Sequence, residues 1–395
     1  MNKLFKKSNL KIIILCSIIF KFFLFFLFLN LNENLFKYEY DYQEVIDNFF
    51  INNIGLNLSF GNERLPIYQI FIFFVFFIFK SKNIIIFVQI ILSCINLIII
   101  YKIGLLFNKR IAIFILILAT VNPMYNLFSI LILADYLFLM FSLFFVYKFT
   151  KFLIYSKLND AIISFIFLGL MSLTKPVIIY FPFFLVIYLL IFIKKNRFKI
   201  ILIFLLIFYS INSAWQIRNL ATYNNYFLIT QNQTNIVNWY LPIIEQEHKK
   251  IRNENAKKNI QDEWEEFQKK NPKSDNSSYE VYTDNLSKKF FFHKIKYYDL
   301  FTIFKTWTFG SVKSILLPSF LEYKYYLDLK PNLSFSKIEG NNFTQKLINY
   351  TLKFEINLFY FLFAICIFFT LLLKYLSLKG AISFYKNNKK IFFFY

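Results

Sequence analysis

Apolar residues in this chain come in nearly uninterrupted blocks, at about 12–30, 67–79, 84–107, 111–133, 136–155, 161–173, 177–193, 199–215 and 356–375. Most are roughly 15 to 24 residues long, the length that crosses a hydrocarbon core as a helix. That pattern predicts an all-α polytopic membrane protein. Composition agrees: 57% of the 395 residues are hydrophobic and 57 are Phe, more than a soluble domain can hide.

A net charge of +22 invites a nucleic-acid reading, but its distribution argues against one. Much of the excess flanks the apolar blocks: Lys3, Lys6, Lys7 and Lys11; Lys109 and Arg110; Lys194, Lys195, Arg197 and Lys199; and Lys374, Lys379, Lys386, Lys389 and Lys390. This is the positive-inside pattern, so these clusters read as cytoplasmic loops facing anionic membrane lipid, and no nucleic acid is expected. Cys16, Cys94 and Cys366 all fall inside apolar blocks and form no disulfide or metal spacing. The first block is too long for a signal sequence and lacks a cleavage site, which makes it a retained span.

The block at 67–79 fixes the topology, because it is too short to cross unaided. If it stays in the interface, all the basic clusters fall on the cytoplasmic side. The expectation is about eight spans, or nine if 67–79 or 298–320 crosses, with both termini inside a cell-membrane protein. Residues 1–215 then form a transmembrane module with an outer loop at 31–83. Residues 216–355 form an extracytoplasmic, mostly helical domain, and 356–395 a last span with a basic cytoplasmic tail.

Some charges are hard to explain as scaffold. The first outer loop holds Glu39, Asp41, Glu44 and Asp47 among tyrosines, then Gly55 and Arg64-Leu65-Pro66-Ile67-Tyr68. Asp135 opens a span, Lys175 stands in Leu173-Thr174-Lys175-Pro176, and Arg218 in Trp215-Gln216-Ile217-Arg218-Asn219. Singly, each has a plain alternative: a solvated helix face, a water boundary, a snorkelling lysine or a headgroup anchor. Lys21, inside the first span, reads as a residue with a buried structural partner. On the expected topology the carboxylate-rich loop, Asp135, Lys175 and Arg218 share one side of the membrane. Cations there suit a lipid phosphate, and a carboxylate nearby suits a general base. His248 and His293 are isolated, and no metal or cofactor is expected.

In their order along about residues 10–375, these features resemble the bacterial branch of the GT-C superfamily, namely the dolichyl-phosphate-mannose-type protein mannosyltransferases and aminoarabinose transferases. In that family an outer loop carries an Asp followed by Tyr, an amphipathic helix, a Gly and an Arg-x-Pro-x-Tyr segment, similar to 41–48, Gly55 and Arg64 to Tyr68 here. The basic turn at 107–110, Pro123, Asp135 and the Leu-Thr-Lys-Pro turn follow in the family's order. The Pro-Trp-x-x-Arg-Asn signature resembles Ala214 to Asn219, and 227–230 with Trp239 fits the text downstream. Ala214 and Leu65 replace family prolines. The family usually continues with further spans, whereas this sequence ends at Tyr395.

The resemblance implies an inverting transfer of a sugar from a polyprenyl-phosphate donor to an acceptor hydroxyl of a glycan, lipid or protein, on the outer face. Asp41 is the implied general base, with Glu44 its rival. Lys175 and Arg218, assisted by Arg64, are implied to hold the donor phosphate, and Asp135, Tyr68 and Asn219 to orient donor or acceptor. A flippase or other transporter is the alternative from another class, but it predicts internal pseudo-symmetry and broken helices at mid-membrane, neither of which is visible. A polysaccharide polymerase would carry its arginines in a central outer loop. A scaffold without activity is the third rival, and rests on the short C-terminal end.

Overall fold

Several helix starts in this protein are set by a proline in the first turn, as at Pro66, Pro123 and Pro182, or by a side-chain cap, as at Asn108 and Ser278. The structure is a computed structural model describing residues 7–31, 45–49, 63–273, 278–316, 345 and 358–387; no strand occurs among them. Asp41, Glu44 and Gly55 lie outside the described residues. The helices are α1 (Lys7–Leu31), α2 (Pro66–Phe79), α3 (Lys82–Leu105), α4 (Lys109–Val121), α5 (Pro123–Phe128), α6 (Ala134–Tyr155), α7 (Leu158–Ser172), α8 (Phe181–Phe192) and α9 (Arg197–Tyr223). The polar region adds α10 (Asn232–Asn235), α11 (Leu241–Lys249), α12 (Asn253–Lys270), α13 (Tyr279–Ile295) and α14 (Leu300–Leu316), and α15 (Leu358–Asn387) follows.

Four stretches among the described residues are long and apolar enough to cross a membrane: Asn83–Leu105, Ala134–Tyr155, Arg197–Tyr223 and Tyr360–Gly380. The remaining apolar helices are shorter. The block at 111–133 is not one helix. Asn122 precedes a proline, which drives it out of the helical region (φ −67°, ψ 117°), and its side chain accepts hydrogen bonds from the Met124 and Tyr125 amides to start α5 afresh. A further difference lies at the end of α9, which runs on to Tyr223 and so carries the Trp215–Asn219 signature inside a helix.

The chain divides into two units. The first comprises Met1–Glu39, Ser81–Ile154 and Leu316–Tyr395. Within it α1, α3 and α4 pack together, and α15 meets α5. Its interior has a polar seam. Lys21, fully buried, donates to Ser93 Oγ at 2.8 Å and lies 4.8 Å from the Tyr125 ring centre, while the Tyr125 hydroxyl donates to the Ser93 carbonyl at 2.9 Å. Gln89 donates to the Leu131 carbonyl at 2.6 Å. Such bonds join helices where lipid offers no competing partner.

The second unit comprises Tyr40–Lys80 and Tyr155–Ile315. Its apolar helices α7, α8 and α9 lead into the polar region, which has a water-type core around Leu241, Ile260, Trp264, Leu286 and Phe290. Ala256, Ile260 and Trp264 repeat every four residues on α12, the apolar stripe of an otherwise charged helix. Glu245 is buried there. It accepts from Tyr298 Oη at 2.8 Å and pairs with Lys249 at 2.5 Å. Burial acts to raise its carboxyl pKa, but the hydrogen bonds from Lys249 and Tyr298, with the charge on Lys294, outweigh it and hold the group below its ordinary value.

Two predictions follow from this packing. A Cβ on Gly104 would lie 2.4 Å from Ala112 Cα, a backbone atom, whereas one on Gly310 meets nothing within 4 Å. Gly104→Ala is expected to destabilise by about 1–3 kcal/mol, and Gly310→Ala to be neutral or to stabilise by up to about 1 kcal/mol, both read from thermal unfolding in detergent. For Glu245, a folded pKa below the unfolded one means stability that is complete above the unfolded carboxylate range and is lost as pH falls through the folded pKa. The drop in melting temperature between about pH 6 and pH 4 should therefore be smaller in Glu245→Gln than in the parent, and an equal drop would remove Glu245 as a source.

Candidate functional site

Three of the sequence segments singled out above meet in the second unit, and helix-end chemistry brings them together. Pro66 sits at the first position of α2, where its missing N–H costs nothing. The next amide, Ile67 N–H, has no partner inside the helix and donates instead to the carbonyl of Leu173 at 3.1 Å, just past the end of α7, where carbonyls lack helical partners. Arg64 stands immediately before α2 and Lys175 two residues after Leu173, so both cations border this junction. Gln69 secures the Arg64 side, donating to the Arg64 carbonyl at 2.8 Å. On the other side Lys175 N–H donates to the Met171 carbonyl at 3.0 Å and the Thr174 hydroxyl to Leu170 O at 2.7 Å. Lys175 is extended (φ −141°, ψ 133°), as a residue before proline tends to be.

The third segment is held by α7 against α9. Gly169 lets Ile211 approach so closely that a Cβ would meet its Cδ1 at 2.7 Å. One turn on, Ser172 Oγ lies 2.9 Å from Asn212 Oδ1, and the Asn212 amide donates to the Phe208 carbonyl at 2.8 Å. Trp215 is thereby set against Val45, Phe73 and Leu173, with Phe49 and Leu228 packed around them. Phe49 meets Phe73 edge-on at 4.9 Å, so the described end of the acidic loop, 45–49, rests on the same cluster.

The Trp-x-x-Arg-Asn segment then proves to be a self-bracing device. Trp215 Nε1 donates to the Leu228 carbonyl at 3.1 Å, and Asn219 Nδ2 to the Phe227 carbonyl at 3.0 Å, so two side chains on one helix face clamp the returning strand of chain. Asn219 Oδ1 in turn accepts from Arg218 Nη1 at 2.8 Å. The Arg218 guanidinium carbon lies 4.5 Å from the Trp215 ring centre and 5.3 Å from that of Tyr223, within cation–π range of both. Arg218 stays half-buried, while Asn219 is fully buried. Arg218 is therefore a guanidinium held in one pose by neighbours on its own helix, with both ends of the Asn219 amide spent on that task.

Of the residues expected at a site, Arg64, Tyr68, Lys175, Arg218 and Asn219 belong to this unit. Tyr68 is buried and stacks on Phe71 at 5.7 Å. Asp135 belongs to the other unit, in the first turn of α6 and next to the buried Tyr136. Ser172, Asn212 and Gly169 were not singled out from sequence; an Asn within an apolar block, one turn before the Trp, was the available signal. No group of three or more metal-ligating side chains occurs among the described residues.

The model of the dolichyl-phosphate-mannose-protein mannosyltransferase family matches residues 64–215. Residues 64–215 are thus similar to a GT-C-type glycosyltransferase family. No curated protein and no solved structure matches it. The mannosyltransferase-family match opens on Arg64, closes on Trp215 and includes Tyr68, Asp135 and Lys175. Its two ends are the residues that the Ile67–Leu173 bond and the cluster around Trp215 bring together in space. This similarity and the apolar helices together point to membrane glycosyltransferase chemistry.

The clamp is testable. Trp215→Phe keeps a ring beneath Arg218 but removes the indole N–H and leaves the Leu228 carbonyl without it. The expected cost is about 1–3 kcal/mol, seen as a lower midpoint of thermal unfolding in detergent. An unchanged midpoint would show that the return at 227–228 is held by other contacts.

Proposed function

We propose that this membrane glycosyltransferase moves a sugar from a polyprenyl-phosphate donor to a hydroxyl of a glycan, lipid or protein acceptor, with inversion, on the extracytoplasmic face of an eight-span protein. The observation that supports the reading is the junction made by the Ile67–Leu173 bond inside the matched residues: Arg64 and Lys175 border it in sequence, and Arg218, three residues past the match's end, is braced on α9 one turn after Trp215 of the adjoining cluster.

In the proposed reaction the acceptor oxygen attacks the anomeric carbon as the bond from that carbon to the phosphate oxygen breaks. The electron pair leaves on the polyprenyl phosphate, and the acceptor proton passes to Asp41, or to Glu44 in its place. The negative charge on the leaving phosphate grows along this path, so preorganised cations stabilise the transition state more than the ground state. Arg218 suits that task because its fork makes paired, charge-assisted hydrogen bonds to phosphate oxygens, while Lys175 contributes a point charge. Arg64 adds a third cation. Asn219 acts through Arg218 as a positioning residue.

The test is sugar transfer in proteoliposomes across a panel of polyprenyl-phosphate sugars, with competition by a free polyprenyl phosphate as the binding readout. Arg218→Lys should weaken donor binding at least about ten-fold, and combining it with Lys175→Ala should be non-additive, as for two groups on one phosphate. Asp41→Asn should lower the rate by about 10²- to 10⁴-fold with donor binding intact. A silent Arg218→Lys with additive effects would leave Arg218 as a headgroup anchor, and an active Asp41→Asn would pass the base to Glu44 or Asp47.

A further inference from the structure

Helix α14 has two faces of opposite chemistry. One is built into the polar region. Thr302 N–H donates to Asp299 Oδ1 at 2.7 Å, Ile303 packs against the core around Trp264 and Phe290, and Lys305 pairs with Glu247 on α11. The other face carries Leu300, Phe301, Phe304, Trp307 and Val312, which are 83%, 74%, 64%, 68% and 47% exposed. At about 100° per residue these five fall within one arc of roughly 140°, and Phe309, 72% exposed, lies just beyond Lys305 at its edge. A water-facing surface seldom leaves such a stripe uncovered.

The stripe does not mark another span. Seventeen residues reach only about 25 Å, and the opposite face is joined to helices that carry Glu245, Glu247 and Glu263, which hydrocarbon would not accept. The helix has one side for lipid and one for water. Trp and Phe on the apolar side, Lys305 at its border and an exposed Lys296 just ahead of it form the composition of a helix lying in a membrane interface beside anionic headgroups. The chain also supplies the proximity. The polar region begins soon after α9 ends at Tyr223, and the chain returns to an apolar segment at Tyr360–Gly380, so its effective concentration at the bilayer is high.

We propose that α14 lies in the plane of the bilayer that the chain's own spans cross, with Leu300, Phe301, Phe304 and Trp307 in the boundary between headgroups and acyl chains of an anionic membrane, and so holds the polar region against the surface. This does not depend on the catalytic reading.

The experiment uses the full chain in vesicles of phosphatidylcholine and phosphatidylglycerol, with and without bromine on the upper acyl carbons. Tryptophan emission is recorded for the parent and for Trp307→Phe, a mild change at an exposed ring, and their difference isolates Trp307 from the other three tryptophans. The expected result is that brominated lipid removes at least half of that difference emission. A smaller loss overturns the proposal, whether aqueous iodide then reaches Trp307, which would place the face in water, or neither quencher does, which would mean that a second copy of the chain covers it.

Discussion

The candidate site rests on two helix ends that complete each other. An α-helix leaves its first amides and last carbonyls without partners, and each must find one outside its own helix. Here the Ile67 amide and the Leu173 carbonyl supply one another's missing bond at 3.1 Å. The helix dipoles add to it, since the positive start of α2 faces the negative end of α7. Proline at the first position of α2 and again at Pro176 stops either helix from extending across the junction. The backbone positions of Arg64 and Lys175 on either side are therefore fixed by helix-end geometry.

The α7–α9 pair solves a second problem of the membrane, that apolar burial gives helices no reason to associate when lipid is equally apolar. Gly169 against Ile211 supplies close packing, and Ser172 with Asn212 supplies a polar contact that lipid cannot replace. The first unit does the same through Lys21 and Ser93. The polar region instead buries Trp264 and Phe290 as a soluble domain does and keeps its charges paired, as Lys294 is with Glu263.

Much of this was legible in the sequence, and the boundary follows the range of the interactions. The positions of the apolar blocks and the Leu-Thr-Lys-Pro turn are local patterns, and helices or a helix end lie where most of them were expected. The break at Asn122-Pro123 was also local, but unbroken hydropathy on both sides masked it. What could not be read were partners far apart in the chain. Nothing near Trp215 announces that its indole bonds Leu228 O, or near Glu245 that Tyr298 bonds it. Asn219 looked like a ligand-orienting amide because an amide signals hydrogen bonding without naming the partner. Its partners are Phe227 O and Arg218.

The length of α9 bears on what Arg218 meets. Its 27 residues rise about 40 Å, some 10 Å more than a hydrocarbon core of about 30 Å. The apolar centre of the helix lies before Trp215, and Arg197 and Lys199 occupy its opposite end. On the proposed topology Arg218, near the other end, falls at the level of lipid phosphates, the depth at which both a headgroup anchor and a donor-phosphate ligand belong. Depth alone does not separate those roles, but ordering does. An anchor to bulk headgroups gains from a long, mobile side chain that follows many lipids. Arg218 is instead held by Asn219 and two aromatic rings, at a cost in side-chain entropy of up to about 2 kcal/mol. Fixing a cation at that cost is of use where one phosphate must be met repeatedly in one geometry.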